Sequence, residues 1–254
     1  MTKSTDDARM IKATEGSFDV IEELARAGEL GVSELSNRLE IPVSTAFDHL
    51  YTLEKLGFVI KDTQNYRLSL RFLEVGGKVR IDIDLFNQSK LVITELARRT
   101  GYMSTLTVEE AREGVHIYTA PGDQYIPVLT PTGNRSPLHA TAGGKAILAK
   151  MPDSRVREII DQEGINPLTD NTITTEEDLF DEMKRIRDNG YAIDSEEAVL
   201  GFWGLAGPII SRRTGDVIGA VDVYKPAGSG GVDLEDISSQ VLETANIIEL
   251  NLTT

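Results

Sequence analysis

The sequence predicts an α+β protein in two parts: an N-terminal winged helix-turn-helix and, beyond a helical linker, a domain that mixes strands with helices. Three observations point there. Residues 14–56 hold apolar side chains at helical spacing in three short runs, broken at Gly28 and before Pro42. Two β-rich runs, FVIKD and NYRLSL, follow around the turn-forming Thr63, Gln64 and Asn65. After Gly101 the pattern changes to strand-like runs separated by turns.

In the first helix, from Thr14 to Ala27, Phe18, Ile21, Leu24 and Ala25 share one face, and Gly28 closes it. A second short helix runs from an N-cap at Ser33 to Leu39. A third starts at or just after Pro42, whose fixed φ suits a helix start. Its inward stripe is Val43, Ala46, Leu50 and Leu53, and Gly57 ends it. Helical spacing resumes over Leu73–Arg80 and Asp84–Thr100, which gives a winged domain at 1–75, a linker at 76–100 and a second domain at 101–254. There YMSTLTVEE, GVHIYTAPG and YIPVLT read as strands, and HATAGGKAILAKM as a helix. Further helices are expected over Asp153–Gln162, after a capping box Thr174-x-x-Glu177, and from Asp233 to about Leu250. GLAGPIIS and VIGAVDVY read as strands joined by RRTGD.

Composition excludes several chemistries. The 254 residues hold no cysteine, so disulfides, thiolate nucleophiles and Cys-based zinc sites are absent. His49, His116 and His139 are too few and scattered for a metal site, and no cofactor is indicated. No run approaches the ~18 apolar residues of a membrane span, and MTKSTDDARM has no apolar signal core, so a cytoplasmic protein is expected. Acidic residues outnumber basic ones 41 to 26, and only ten of the latter are lysine. A lysine-poor acidic surface suits a salt-loaded cytoplasm, where self-repulsion is screened. A halophilic source is expected.

With its stripe inward, the third helix turns Ser44, Thr45, Phe47, Asp48, His49, Tyr51, Thr52 and Lys55 outward. Ser44 and Thr45 suit phosphate, His49 and Thr52 base edges, and Phe47 thymine methyl groups. In the hairpin, Gln64, Asn65 and Arg67 are placed for the minor groove or backbone. Residues 1–75 hold nine Lys/Arg and thirteen Asp/Glu, a net of −4. Such acidity is compatible with DNA at molar salt, where the Debye length is only ~3 Å and little counterion release remains to be gained.

The two halves together resemble the IclR family of transcriptional regulators over nearly the whole chain. VSELSNRLEIPVSTAFDHLYTLEKLGFV and YRLSLRFLEVG carry the likeness in the first half. GNRSPLHATAGGKAILA, GYAIDSEEAVLGFWGLAGPI and GDVIGAVDV carry it in the second. The resemblance implies a GAF-like effector domain, an antiparallel sheet flanked by helices, that binds a small metabolite and controls carbon-source catabolism genes. It also implies a homodimer or homotetramer on double-stranded operator DNA.

By that resemblance Gly133, His139, Ala140 and Thr141 contact the effector. The free amides of a helix starting near His139 suit its carboxylate; His139 as a buried tie to a neighbouring carbonyl is the alternative. The opposite wall is expected around Asp194, Gly204, Asp222 and Tyr224. Many relatives have cysteine at the position of Gly204 and serines at those of Asp222 and Tyr224. The aspartates favour hydroxyls, so a sugar acid fits; an aromatic acid stacked on Trp203 or Tyr224 competes. At the recognition helix relatives commonly carry His and Arg where this chain has Phe47 and Asp48, and without that arginine the relatives' operator sequence is not expected to carry over. ATAGGKA is no phosphate loop: His139 stands where its first glycine belongs and Ala146 where its hydroxyl does. Catalysis by Asp194, Glu196 and Glu197 lacks a nucleophile–base motif, and no enzyme is expected. The remaining alternative is a ligand sensor or scaffold without DNA binding.

Overall fold

Gly28 takes φ 84°, a conformation that penalises any side chain, and there α1 (Lys12–Ala27) stops. The structure is a computed structural model that describes residues 10–123, 131–228 and 233–253. The chain divides between Arg80 and Ile81 into two compact units. In the first, α1 is followed by β1 (Glu29–Gly31), α2 (Val32–Arg38), α3 (Val43–Lys55), β2 (Val59–Asp62), β3 (Asn65–Leu68) and α4 (Arg71–Ile81), the last of which runs one residue past the division. Leu24, Leu30, Leu35, Leu50, Leu53 and Tyr66 form its core with smaller neighbours.

Two details differ from the sequence reading. Gly31, not Ser33, is the N-cap of α2, and no side chain caps it. Val43 is 53% exposed, because the first turn of α3 lies outside the cluster that takes Ala46, Leu50 and Leu53. The wing is a three-stranded antiparallel sheet in the order β1-β3-β2, with Leu30 opposite Tyr66. At three residues, β1 is too short to announce itself by alternation. Thr63 takes φ 55°, as the first residue of a two-residue hairpin turn between β2 and β3.

The second unit begins with α5 (Asp84–Thr100), closed by Gly101 in the left-handed region. Residues 84–100, expected as linker, belong to this unit: Ile93, Leu96 and Ala97 are buried among sheet residues. Then come β4 (Met103–Glu110), β5 (Glu113–Ala120), β6 (Arg135–Pro137), α6 (Ala142–Leu148), α7 (Asp153–Glu163), α8 (Glu176–Asn189), β7 (Ala192–Ser195), β8 (Phe202–Ile210), β9 (Val217–Pro226) and α9 (Leu234–Asn251). Six strands make one antiparallel sheet in the order β6-β5-β4-β9-β8-β7. Strand alternation sorts its two faces. Leu205, Ile209, Val221 and Val223 pack with α5 and α9, whereas Ala206 and Ala220 pack with α6, α7 and α8.

Two boundaries move and two strands are added. α6 starts at Ala142 rather than near His139, with Thr141 as its N-cap. The capping box before α8 lies one residue later, because the Thr175 hydroxyl accepts the Asp178 N–H at 3.1 Å. β6 and β7, three and four residues long, are additional to the strands expected from sequence. The expected strand YIPVLT, residues 125–130, lies outside the described residues.

Candidate nucleic-acid interface and ligand cavity

On α3, Ser44, Phe47, Asp48, Tyr51, Thr52 and Lys55 are exposed and Thr45 is half-buried. The Phe47 and Tyr51 rings, one turn apart, lie nearly parallel with centroids 6.1 Å apart. Lys55 holds its ammonium 5.1 Å from the Tyr51 ring, and the Thr52 hydroxyl donates back to the Asp48 carbonyl at 2.7 Å. His49 is not a free reader. Its Nδ1 sits 2.9 Å from the Ser17 hydroxyl on α1, and a side chain at Gly16 would strike its ring. A helical wheel of α3 alone turns His49 outward because it leaves out α1. In the wing Gln64 and Arg67 are exposed, while Asn65 is half-buried with its amide 3.4 Å from the Glu29 carboxylate.

The second unit holds a cavity of about 280 Å³. Met103, Leu168, Val199 and Phe202 supply apolar wall; Asn134, Arg135, Ser136, Thr141, Asp194 and Tyr224 supply polar groups. Arg135 bridges Glu110 and Glu113, so its charge is already balanced. The Ser136 hydroxyl oxygen is buried without a protein partner.

A buried polar chain links two residues of the cavity wall, Tyr224 and His116. The Tyr224 hydroxyl donates to Asp222 Oδ1 at 3.3 Å, Thr107 Oγ1 donates to Oδ2 at 2.7 Å, and His116 Nδ1 lies 3.4 Å from that same Thr107 oxygen. Since Thr107 has one proton and gives it to Asp222, His116 donates from Nδ1 when Asp222 is ionised. Burial pushes the Asp222 carboxyl up to about 7 and the His116 imidazole down to about 4. Burial, then the neighbouring Asp222 and Asp194 charges, raises the Tyr224 hydroxyl well above its ordinary value.

Asp222 corrects the reading of α6 as an open carboxylate site. The Gly143 N–H donates to Asp222, and the Thr141 hydroxyl accepts the Gly144 N–H at 3.1 Å. A Cβ at Gly143 would lie 2.1 Å from Asp222 Oδ1, so only glycine admits this approach. The helix end is filled by the chain's own carboxylate.

Of the eight residues expected at the effector site, Thr141, Asp194 and Tyr224 line the cavity. Gly133, at φ 92°, turns the chain behind Asn134 and donates its N–H to the His116 carbonyl at 2.7 Å. His139 lines a separate crevice, where Nε2 donates to the Asn166 carbonyl at 3.0 Å and burial lowers its pKa. Ala140 and Asp222 are wholly buried, and Gly204 lies under the Tyr224 ring. Trp203 packs toward α5 and α9; its neighbour Phe202 takes the cavity side, as alternation on β8 requires. Sequence reasoning misses His116, Asn134, Ser136 and Phe202. Alternation along β5 and β8 signals two of these, but only the short β6 brings the 134–137 segment alongside.

The remaining acidic residues hold a turn. Asp194 accepts the N–H groups of Glu197 at 2.7 Å and Ala198 at 3.4 Å, and burial raises it to about 6. Glu196, at φ 62°, accepts the Gly201 N–H. Glu197 pairs at 2.5 Å with Lys145, which is buried. Burial raises the Glu197 pKa and the Lys145 charge opposes it. Each of these carboxylates bonds the chain itself, Asp194 through Oδ1 alone. Among the described residues no helix is long and apolar enough to cross a membrane.

Residues 78–249 match the family model described as bacterial transcriptional regulator IclR C-terminal, and residues 15–63 the IclR helix-turn-helix domain. The regulator KdgR of Dickeya chrysanthemi is 30% identical over 211 residues, 82% of this chain and 69% of that protein. The probable regulator ArcR of Halobacterium salinarum is 28% identical over 254 residues, 98% and 96% of the two chains. The crystal structure of Thermotoga maritima IclR superposes with a TM-score of 0.81 at 27% identity, covering 96% of this chain and all of that one.

Proposed function

The chain belongs to the IclR family of transcriptional regulators, and on that premise we propose that a small organic acid in the cavity beside Tyr224 sets how tightly α3 and the wing hold operator DNA. It is a DNA-binding regulator and not an enzyme. Ser44, Thr45, Phe47, Asp48 and Thr52 face the major groove, and Gln64, Asn65 and Arg67 the neighbouring backbone or minor groove. His49 keeps a packing role.

The observation that carries the effector reading is the cavity itself. It joins an apolar wall to an unpartnered buried hydroxyl, Ser136, with Thr141 and Asp194 opposite. Because α6 is capped internally and Arg135 is already paired with Glu110 and Glu113, the ligand carboxylate is assigned to the neutral amide of Asn134. Hydroxyls go to Asp194, Thr141 and Ser136, and the ring face to Phe202. A sugar acid satisfies this set, an aromatic acid part of it; the regulated genes serve catabolism of that carbon source. Supporting a homodimer, α4 buries none of its residues and exposes Leu73, Val75, Val79 and Ile81. The acidic composition, and a relative from Halobacterium matched nearly end to end, support work in a salty cytoplasm.

The test is a panel of sugar and aromatic acids scored by change in DNA affinity, with Ala198→Trp filling the cavity. An acid that shifts wild-type affinity and leaves the variant, still bound to DNA, unmoved supports the reading. An effector that acts equally on both proteins, or no response across the panel, contradicts it.

A further inference from the structure

Recognition helices usually read purines: arginine or lysine forks to guanine O6 and N7, asparagine or glutamine to adenine N6 and N7. The α3 sequence VSTAFDHLYTLEK contains no arginine, asparagine or glutamine. Its one lysine, Lys55, lies in the last turn beside the Tyr51 ring. What α3 presents instead is the Phe47–Tyr51 pair, 45% and 48% exposed, with the exposed Asp48 beside it. Water is a poor environment for two stacked rings, and although Lys55 reaches over part of Tyr51, both rings stay nearly half exposed. A carboxylate is repelled by phosphate, so Asp48 has a favourable partner only at a base edge that donates.

We propose that α3 reads the pyrimidine edge of the major groove, with Phe47 and Tyr51 packed on thymine C5-methyl groups and Asp48 accepting from a cytosine N4 amino group. The assignment rests on the DNA-binding reading above and deepens it. Both features lie on pyrimidines, one apolar and one a donor, and the three side chains match them in kind. Tyr51 thereby becomes a specificity residue beside Phe47. Neither contact depends on counterion release, so both persist at high salt.

The experiment uses the full chain in 1 M potassium chloride. Duplexes are enriched from a random pool, and the winner is resynthesised with uracil for thymine, which deletes the methyl, or with 7-deazaguanine, which deletes N7. Uracil should weaken wild-type binding about fourfold per contacted methyl, and that loss should disappear in Phe47→Ala or Tyr51→Ala at its own position. 7-Deazaguanine should change nothing. Uracil without effect, or an effect that survives both variants, overturns the proposal and leaves DNA binding standing. A pool that never enriches, with the protein shown to be folded, takes down the DNA reading as well.

Discussion

Gly204 and Tyr224 are register partners across β8 and β9, and each accounts for the other. A Cβ on residue 204 would stand 2.6 Å from the Tyr224 ring, so the tyrosine fits only over glycine. The family resemblance leads one to expect cysteine and serine at these two positions, and against that expectation the pair reads as an exchange of both volumes together. Gly204→Ala is expected to cost about 1–3 kcal/mol by overpacking. Combined with Tyr224→Ser it should cost less than the sum, which a double-mutant cycle by urea unfolding reads directly. Additive losses would refute the exchange. Asp222 gives a pH prediction. Its folded pKa, about 7, exceeds the ordinary carboxylate value because burial disfavours the charge. Folding therefore takes up a proton between about pH 4 and 7, and the group's contribution weakens stability as pH rises through that window. Asp222→Asn should flatten that slope and be relatively more stabilising at pH 8 than at pH 5. His116, near 4, acts in the opposite sense, since the fold favours its neutral form and loses stability as pH falls from 6.5. Both proteins retain it, so their difference isolates Asp222.

At the scale of elements, α3 separates what reads DNA from what holds the unit together. His49→Ala should destabilise the unit by about 1 kcal/mol through lost α1–α3 contact, read as a lower melting point, with little change in sequence preference. A changed preference at unchanged stability would place His49 back in the groove. The α6 cap makes a parallel case: Thr141→Ala is expected to lose about 1 kcal/mol on unfolding. The long, strongly periodic elements are legible in the sequence, because α1, α3, α5 and α9 each bury one stripe. Short strands are not. β1, β6 and β7 exist through partners far along the chain, and β6 is what brings Asn134 and Ser136 to the cavity. The same limit hides the fate of α6. Its N-terminus looks open in sequence because Asp222, about eighty residues later, is what closes it. Thr141, Asp194 and Tyr224 are legible since they sit at motif positions, whereas Phe202 against Trp203 turns on a one-residue register.

For the whole molecule, charge sets the terms of binding. A net of −15 repels both itself and a polyanion, and added salt should raise the unfolding midpoint by screening that repulsion. On α3 and the wing the exposed cations are Lys55, Lys61 and Arg67. If each neutralises one phosphate, the slope of log affinity against log salt is about −3 per bound unit. A slope near −10 would mean that contacts elsewhere in the chain dominate. Specificity must then come from fitted local contacts, and the central claim is that this acidic chain still selects its site.

That claim is tested most directly by fluorescence anisotropy of labelled DNA from the protein's own upstream region in molar potassium chloride. Saturable binding, competed by the same fragment and not by its scrambled sequence, is the predicted result. Equal competition by both DNAs, or no binding by protein shown to be folded, would contradict it.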